Sequence, residues 1–107
     1  MKQGEIWYAN LDPAKDSEQA GRRPVVIVSG NLLNAHLNIV ICCPLTTKEK
    51  NYKGNVVLQP NTSNQLQQAS EILTFHIRSL SKNRLTKKLG KVSEKELNAL
   101  RKDSTKS

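Results

Sequence analysis

The sequence predicts a mainly β protein, a small and strongly bent antiparallel barrel with short helices and one helix at its C-terminus. Three observations carry this. Short apolar runs recur along the chain, each bounded by Gly, Pro or Asn, as expected of strands that end in turns. The run Ile39-Val40-Ile41-Cys42-Cys43 is unbroken, the pattern of a strand covered on both faces. A single capping signature, Ser93-Glu94-Lys95-Glu96, stands near the end of the chain and starts a helix.

Taken in order, Glu5 to Leu11 reads as a first strand, ended by Asp12-Pro13. The polar stretch 14–22 is a long loop for so short a chain, and loops of that length often carry function. Val25 to Ser29 is the second strand, with Pro24 tolerated at its start because no ladder donor is needed there. Asn31 to Leu37 suits a short helical turn. The central apolar run follows, stopped by Pro44, and a second polar loop extends through Gly54. Val56 to Leu58 is a short strand, Glu71 to Ile77 a further one, and Leu85 to Val92 the last, with Gly90 as its weak point. The closing helix runs to about Lys102 with Leu97 and Leu100 on one stripe, and residues 103–107 read as a frayed polar tail.

The chain has 107 residues, one domain's worth. No apolar run approaches the ~20 residues needed to span a bilayer, and the N-terminus lacks the apolar core of a signal peptide. A cytoplasmic protein is expected. Cys42 and Cys43 are adjacent and point to opposite faces of a strand, so they read as small reduced core residues rather than as a disulfide or zinc site. Seventeen Lys and Arg against nine Asp and Glu give a formal charge of +8. Of this, +7 falls in residues 78–107, where ten basic residues face three acidic ones. Such a field favours a polyanion or an acidic protein partner.

Three loops bring polar groups suited to phosphate and ribose. The first offers Ser17, Glu18, Gln19, Arg22 and Arg23; the second Thr46, Thr47 and lysines; the third His76, Arg78, Ser79, Lys82 and Arg84. Arg23 precedes a proline, which forces its backbone toward extended geometry and mounts the guanidinium at a strand edge. Held so, it can donate two parallel hydrogen bonds to a phosphate; a surface pair with Glu18 or Asp16 is the competing role. The Thr46 hydroxyl emerges where a buried strand meets solvent and suits either a donor to a nonbridging oxygen or a turn-forming contact. His76 and Arg78, two apart in an expected strand, share a face. RNA cleavage without a metal needs a base for the 2′-OH, an acid for the departing 5′-oxygen and donors for the charge growing on phosphorus. Glu18 and His76 are base candidates here, and Arg23, Arg78 and Thr46 the donors. The sequence holds neither nucleotide-binding glycine motif nor an acidic cluster for two metals, so no cofactor and no metal are expected.

Gly4-Glu5-Ile6-Trp7, Leu11-Asp12-Pro13, the stretch from Ser17-Glu18-Gln19 through Gly21 and Arg23-Pro24-Val25, Pro44-Leu45-Thr46 and Ile77-Arg78-Ser79-Leu80 stand in one order. In that order and spacing they resemble the MazF/PemK (Kid-like) family of toxins, over residues 3 to about 100. The resemblance implies a CcdB/PemK-type, SH3-like antiparallel barrel that pairs as a homodimer. It implies metal-independent, sequence-specific cleavage of single-stranded RNA, and inhibition by an antitoxin whose acidic, flexible tail covers the RNA groove. It puts Arg23 and Thr46 at the centre of catalysis, with Ser17, Glu18 and Gln19 in the loop that flanks the substrate. Glu18 is the preferred base, in place of a carboxylate that some relatives use and this chain lacks, with His76 the next candidate, and Ser17, Gln19, Thr47, His76 and Arg78 are the expected substrate contacts. The chain departs from the family in carrying Phe75-His76 where many members have a carboxylate and glutamine, and Asp16 where glycine is usual. Two other readings compete: a CcdB-like poison of DNA gyrase, which has no need of the Gly-x-Arg-Pro loop and Thr46, and a barrel that binds RNA without cutting it.

Overall fold

The computed structural model describes residues 1–11, 21–48 and 56–105. Among these residues seven strands, β1 (Glu5–Asn10), β2 (Arg22–Ile27), β3 (Ile39–Thr46), β4 (Val57–Leu58), β5 (Ser70–Ile72), β6 (Arg78–Ser81) and β7 (Leu85–Lys91), alternate with helix α1 (Asn31–His36) and end in α2 (Glu94–Thr105). They form one antiparallel sheet in the order β4-β5-β3-β2-β1-β7, with β6 also paired to β3. The sheet curls into a half-barrel, as the pattern of short strands predicts.

Alternation along the strands gives the curled sheet two faces, and both are buried over its middle. One carries Ala9, Val25, Ile27, Val40, Cys42, Leu80 and Leu85. The other carries Ile6, Val26, Cys43, Leu45, Leu58 and Ile72, and receives Val92, Leu97 and Leu100 at the start and along α2. We call these the Ala9 face and the Ile6 face. Cys42 and Cys43 therefore enter separate cores, as their adjacency on a strand requires. Burial pushes the Cys42 thiol up to about 12, aided by the neighbouring Cys43 and opposed by Arg78, and burial pushes Cys43 up to about 11.

The capping box forms as expected. The Glu96 amide donates to Ser93 Oγ at 3.1 Å and the Ser93 amide donates to Glu96 Oε1 at 2.8 Å. The helix continues to Thr105, so residues 103–105, expected to be frayed, extend it.

Pro24 and Pro44 behave differently from expectation. Neither bounds a strand: β2 begins at Arg22, ahead of Pro24, and β3 passes through Pro44. Each sits where its strand changes neighbours. β2 is paired to β1 from Arg22 but to β3 only from Val25. β3 pairs with β6 over Ile39–Cys42 and with β5 over Leu45–Thr46, and Pro44 falls between the two. The missing N–H is thus not demanded, while the Pro44 carbonyl accepts from the Leu73 amide at 2.9 Å.

The expected strand Glu71–Ile77 is also shorter. β5 ends at Ile72, and Thr74–His76 is a 3-10 turn. Phe75 and Ile77, which read as core, are 65% and 49% exposed. The chain leaves the edge of β3 after Leu73, opposite Pro44, and rejoins it at Arg78, opposite Cys42, so the 3-10 turn interrupts the pairing.

Gly90 is a requirement of the fold rather than a weak point. A Cβ there would lie 2.3 Å from the Ser63 carbonyl oxygen and 2.7 Å from the Asn64 backbone. The 61–66 turn is pressed against β7 by the Lys91 amide, which donates to Ser63 O at 3.0 Å. Buried Asn64 knits this turn, donating to Gln59 O while its Oδ1 accepts from the Asn61 and Leu66 amides.

Three outcomes follow. Gly90→Ala should lower the urea midpoint by an amount equivalent to about 1–3 kcal/mol, the scale of forced overpacking against backbone. A thiol reagent at pH 8 should leave the native protein unmodified and label both cysteines once urea unfolds it, counted by mass. Glu5 gives the third: burial acts to raise its pKa, but donation from the Trp7 indole, the Lys2 amide and Lys88 wins, so the carboxyl lies below its usual range. A lowered carboxylate stabilises the fold above the unfolded pKa of ~4.3, and that stability is lost as pH falls through the folded value. Thermal melts should therefore decline less steeply below about pH 5 in Glu5→Gln than in wild type.

Candidate functional site

The sheet register decides which sequence candidates meet. β2 and β3 pair as Val25↔Pro44, Val26↔Cys43 and Ile27↔Cys42. The pairing ends at Val25↔Pro44; two residues beyond it, in the same register, come Arg23 on β2 and Thr46 on β3. Arg23 follows the alternation of Val25 and Ile27, and Thr46 that of Pro44 and Cys42, so both side chains belong to the Ala9 face at its open end. Both are half-buried.

Arg78 joins them from the other side of β3. It pairs with Cys42 and so shares the same face, and it is exposed. Its Nη2 donates to the Leu11 carbonyl across 3.5 Å, while Arg84 Nη1 donates to the Asn10 carbonyl at 3.1 Å. Both guanidiniums thus reach back to the point where the chain leaves β1. The Leu11 amide donates to Gly21 O at 3.4 Å, closing the neck of the segment between β1 and β2. Gly21 has φ 137°, a conformation for which glycine is suited. Four arginines, Arg22, Arg23, Arg78 and Arg84, therefore surround this neck.

Thr46 makes the turn contact the sequence allows, since the Lys48 amide donates to its Oγ1 at 3.1 Å. That contact uses the oxygen as acceptor. The hydroxyl proton remains a donor, so a turn role and a donor role coexist in one side chain. Thr47 follows it, exposed.

His76 does not stand in one strand with Arg78. The strand alternation that would have aligned them is absent, because residues 74–76 form the 3-10 turn and the ring is carried on an exposed corner. Ser17, Glu18 and Gln19, with Asp16, lie outside the described residues.

A carboxylate passed over in the sequence sits beside Thr46. Glu71 is fully buried, and its Cα pairs with Thr46 on one side and Val57 on the other. The available signal was an acidic residue inside the strand Ser70–Ile72, where apolar partners are expected on both sides. Tyr8 was also passed over, although an aromatic beside basic residues is a known nucleic-acid pattern.

With this geometry in hand, comparison with known proteins is informative. Residues 2–103 match the family model described as PemK-like, MazF-like toxin of type II toxin–antitoxin system. The chain is 36% identical over 103 residues to a Mycobacterium tuberculosis protein named endoribonuclease MazF9, covering 91% of this chain and 86% of that one. A crystal structure of MazF from Deinococcus radiodurans superposes with a TM-score of 0.78 at 28% identity, covering 96% of this chain and 91% of that one. An endoribonuclease in complex with its cognate antitoxin from a mycobacterial species shares the fold, with a TM-score of 0.80 at 24% identity over 99% and 92% of the two chains. No helix among the described residues is long and apolar enough to cross a membrane. On a match that spans nearly the whole chain, this protein belongs to the PemK-like, MazF-like toxins of type II toxin–antitoxin systems.

Proposed function

We propose that the chain is a toxin of a type II toxin–antitoxin system that cleaves single-stranded RNA, and so arrests translation, without a metal ion. The observation that carries the reading is the β2–β3 register, whose alternation assigns Arg23 and Thr46 to one face just past the last pair, Val25↔Pro44. Membership of a family whose relatives are named endoribonucleases supports it. Nothing in those relatives' names favours the gyrase-poison alternative.

In this mechanism the ribose 2′-oxygen attacks phosphorus as a base removes its proton. The P–O5′ bond breaks and the 5′-oxygen leaves with a proton. The products are a 2′,3′-cyclic phosphate and a 5′-hydroxyl. Arg23 binds the phosphate and supplies positive charge, and a proton, on the leaving side; Pro24 holds its backbone extended. The Thr46 hydroxyl donates to the nonbridging oxygen as charge grows there. Glu18 is the base, and Ser17, Gln19, Thr47, His76 and Arg78 contact the RNA around the cut. Arg78 does so from the same face as Arg23, and His76 from the exposed turn that precedes it.

The active form is a homodimer in the cytoplasm, held in check by a cognate antitoxin with an acidic, flexible tail. A protein of formal charge +8 is suited to both polyanions.

The deciding experiment incubates purified protein with a long single-stranded RNA in EDTA, beside Arg23→Ala. Wild type should release fragments ending in 2′,3′-cyclic phosphate or 3′-phosphate. The variant should be at least ~100-fold slower, the scale for losing one preorganised donor. Equal rates would remove Arg23 from the chemistry, and stabilised gyrase–DNA breaks in place of RNA fragments would replace the reading altogether.

A further inference from the structure

We propose that Tyr8, flanked by Arg22 and Lys87, is a platform on which an unpaired nucleotide next to the cut site stacks, its phosphates met by the two cations. The inference rests on the ribonuclease reading above and adds a ligand subsite to it.

Tyr8 belongs to the Ile6 face. Ile6, one repeat earlier on the strand, is fully buried in the core that receives α2. At Tyr8 that cover has ended, and the ring is half-buried. Its cross-strand neighbours are Pro24 on β2 and Lys87 on β7. Arg22 lies diagonally across, paired with Asn10 and on the same face as Pro24. Arg22 and Lys87 are both exposed. A half-buried aromatic ring on a strand whose neighbours carry a guanidinium and an ammonium is what sequence-tolerant binding of unpaired bases uses.

Position ties this patch to the cut. Arg22 and Arg23 are successive residues at the start of β2, so the strand end presents one guanidinium to each face of the sheet. A nucleotide chain rounding that end leaves a phosphate at Arg23 and meets Arg22 and then Tyr8. The neighbouring Arg84 adds positive charge while it is bonded to Asn10 O.

Not every cation nearby belongs to the platform. Lys88 is paired with Glu5 at 3.2 Å, and Lys82 donates to the Asn34 carbonyl. A bland role for Tyr8 is cross-strand packing, and for Lys87 it is protection of an edge strand. Neither role depends on RNA, which makes the two accounts separable.

The test first maps a cut site on long RNA with wild-type protein. An oligonucleotide holding that site, with a 2′-deoxynucleotide at the cut position to block cleavage and uridines on either side, is then titrated against wild type and variants. Tyr8→Leu should bind roughly tenfold more weakly, within the range for losing one stacked base. Tyr8→Phe should bind like wild type, because the ring and not the hydroxyl does the stacking. Lys87→Gln should reduce the slope of log affinity against log salt by about 0.7, the value for one phosphate contact on a single strand. The surface variant Lys87→Gln keeps the test decisive if Tyr8→Leu fails to fold. Wild type that cuts RNA while Tyr8→Leu binds normally, or Lys87→Gln keeps the full salt slope, would overturn the platform alone. So would a loss confined to an acidic antitoxin peptide. Wild type that neither cuts nor binds RNA would remove the ribonuclease reading, and the platform with it.

Discussion

The antiparallel register between β2 and β3 is the constraint on which the site depends. A slip of one residue would turn every side chain on one strand to the opposite face. Arg23 would then meet a neighbour of Thr46 whose side chain points away. What prevents the slip is burial on both faces at once. Val25, Ile27 and Cys42 fill one core while Val26, Cys43 and Leu45 fill the other. A sheet with one solvated face would tolerate an error that this one cannot. The assignment of Arg23 and Thr46 to one face is therefore specified by apolar core residues on both strands.

The two prolines tighten the same region. Pro24 directly follows Arg23 and Pro44 lies two residues before Thr46, and each falls where a strand has yet to gain its next neighbour or is changing it. Pro24 restricts the backbone of Arg23 to extended geometry. Pro44 lets β3 change partners from β6 to β5 without leaving an unpaired amide, and the change delivers Thr46 to the sheet's open end. Locally both residues look like strand terminators, yet in the fold they are permitted inside strands by gaps in the ladder.

That contrast explains what could be read from sequence. Local signals were legible: β1, β7, α1, the capping box of α2 and the opposed cysteines all follow from patterns a few residues long. The early end of β5 was not, because five residues, 73–77, span the two β3 residues Cys43 and Pro44, and β3's place beside them is set tens of residues away. The expected strand alternation from His76 to Arg78 is lost for that reason. Arg23, Thr46 and Arg78 could each be singled out by residue type and flanking proline or apolar run. Their meeting could not, since a register is a property of two strands. Glu71 was overlooked because a buried carboxylate has no local signature that separates it from a surface one.

The basic excess also means something different in the fold. Residues 78–91 contain six Lys and Arg and no acid, which in sequence looks like a diffuse field. Arg78, Lys82 and Arg84 instead donate to backbone carbonyls of Leu11, Asn34 and Asn10. A carbonyl orients a cation but does not neutralise it, unlike the carboxylate of Glu5 that holds Lys88. These three side chains thus give up rotamer freedom in folding while keeping their charge for a ligand. A polyanion arriving at the neck between β1 and β2 meets Arg78 and Arg84 already ordered, and less entropy is lost on binding than mobile lysines would require. The same economy suits a site where charge develops on phosphorus, because donors fixed beforehand need not reorganise as it grows.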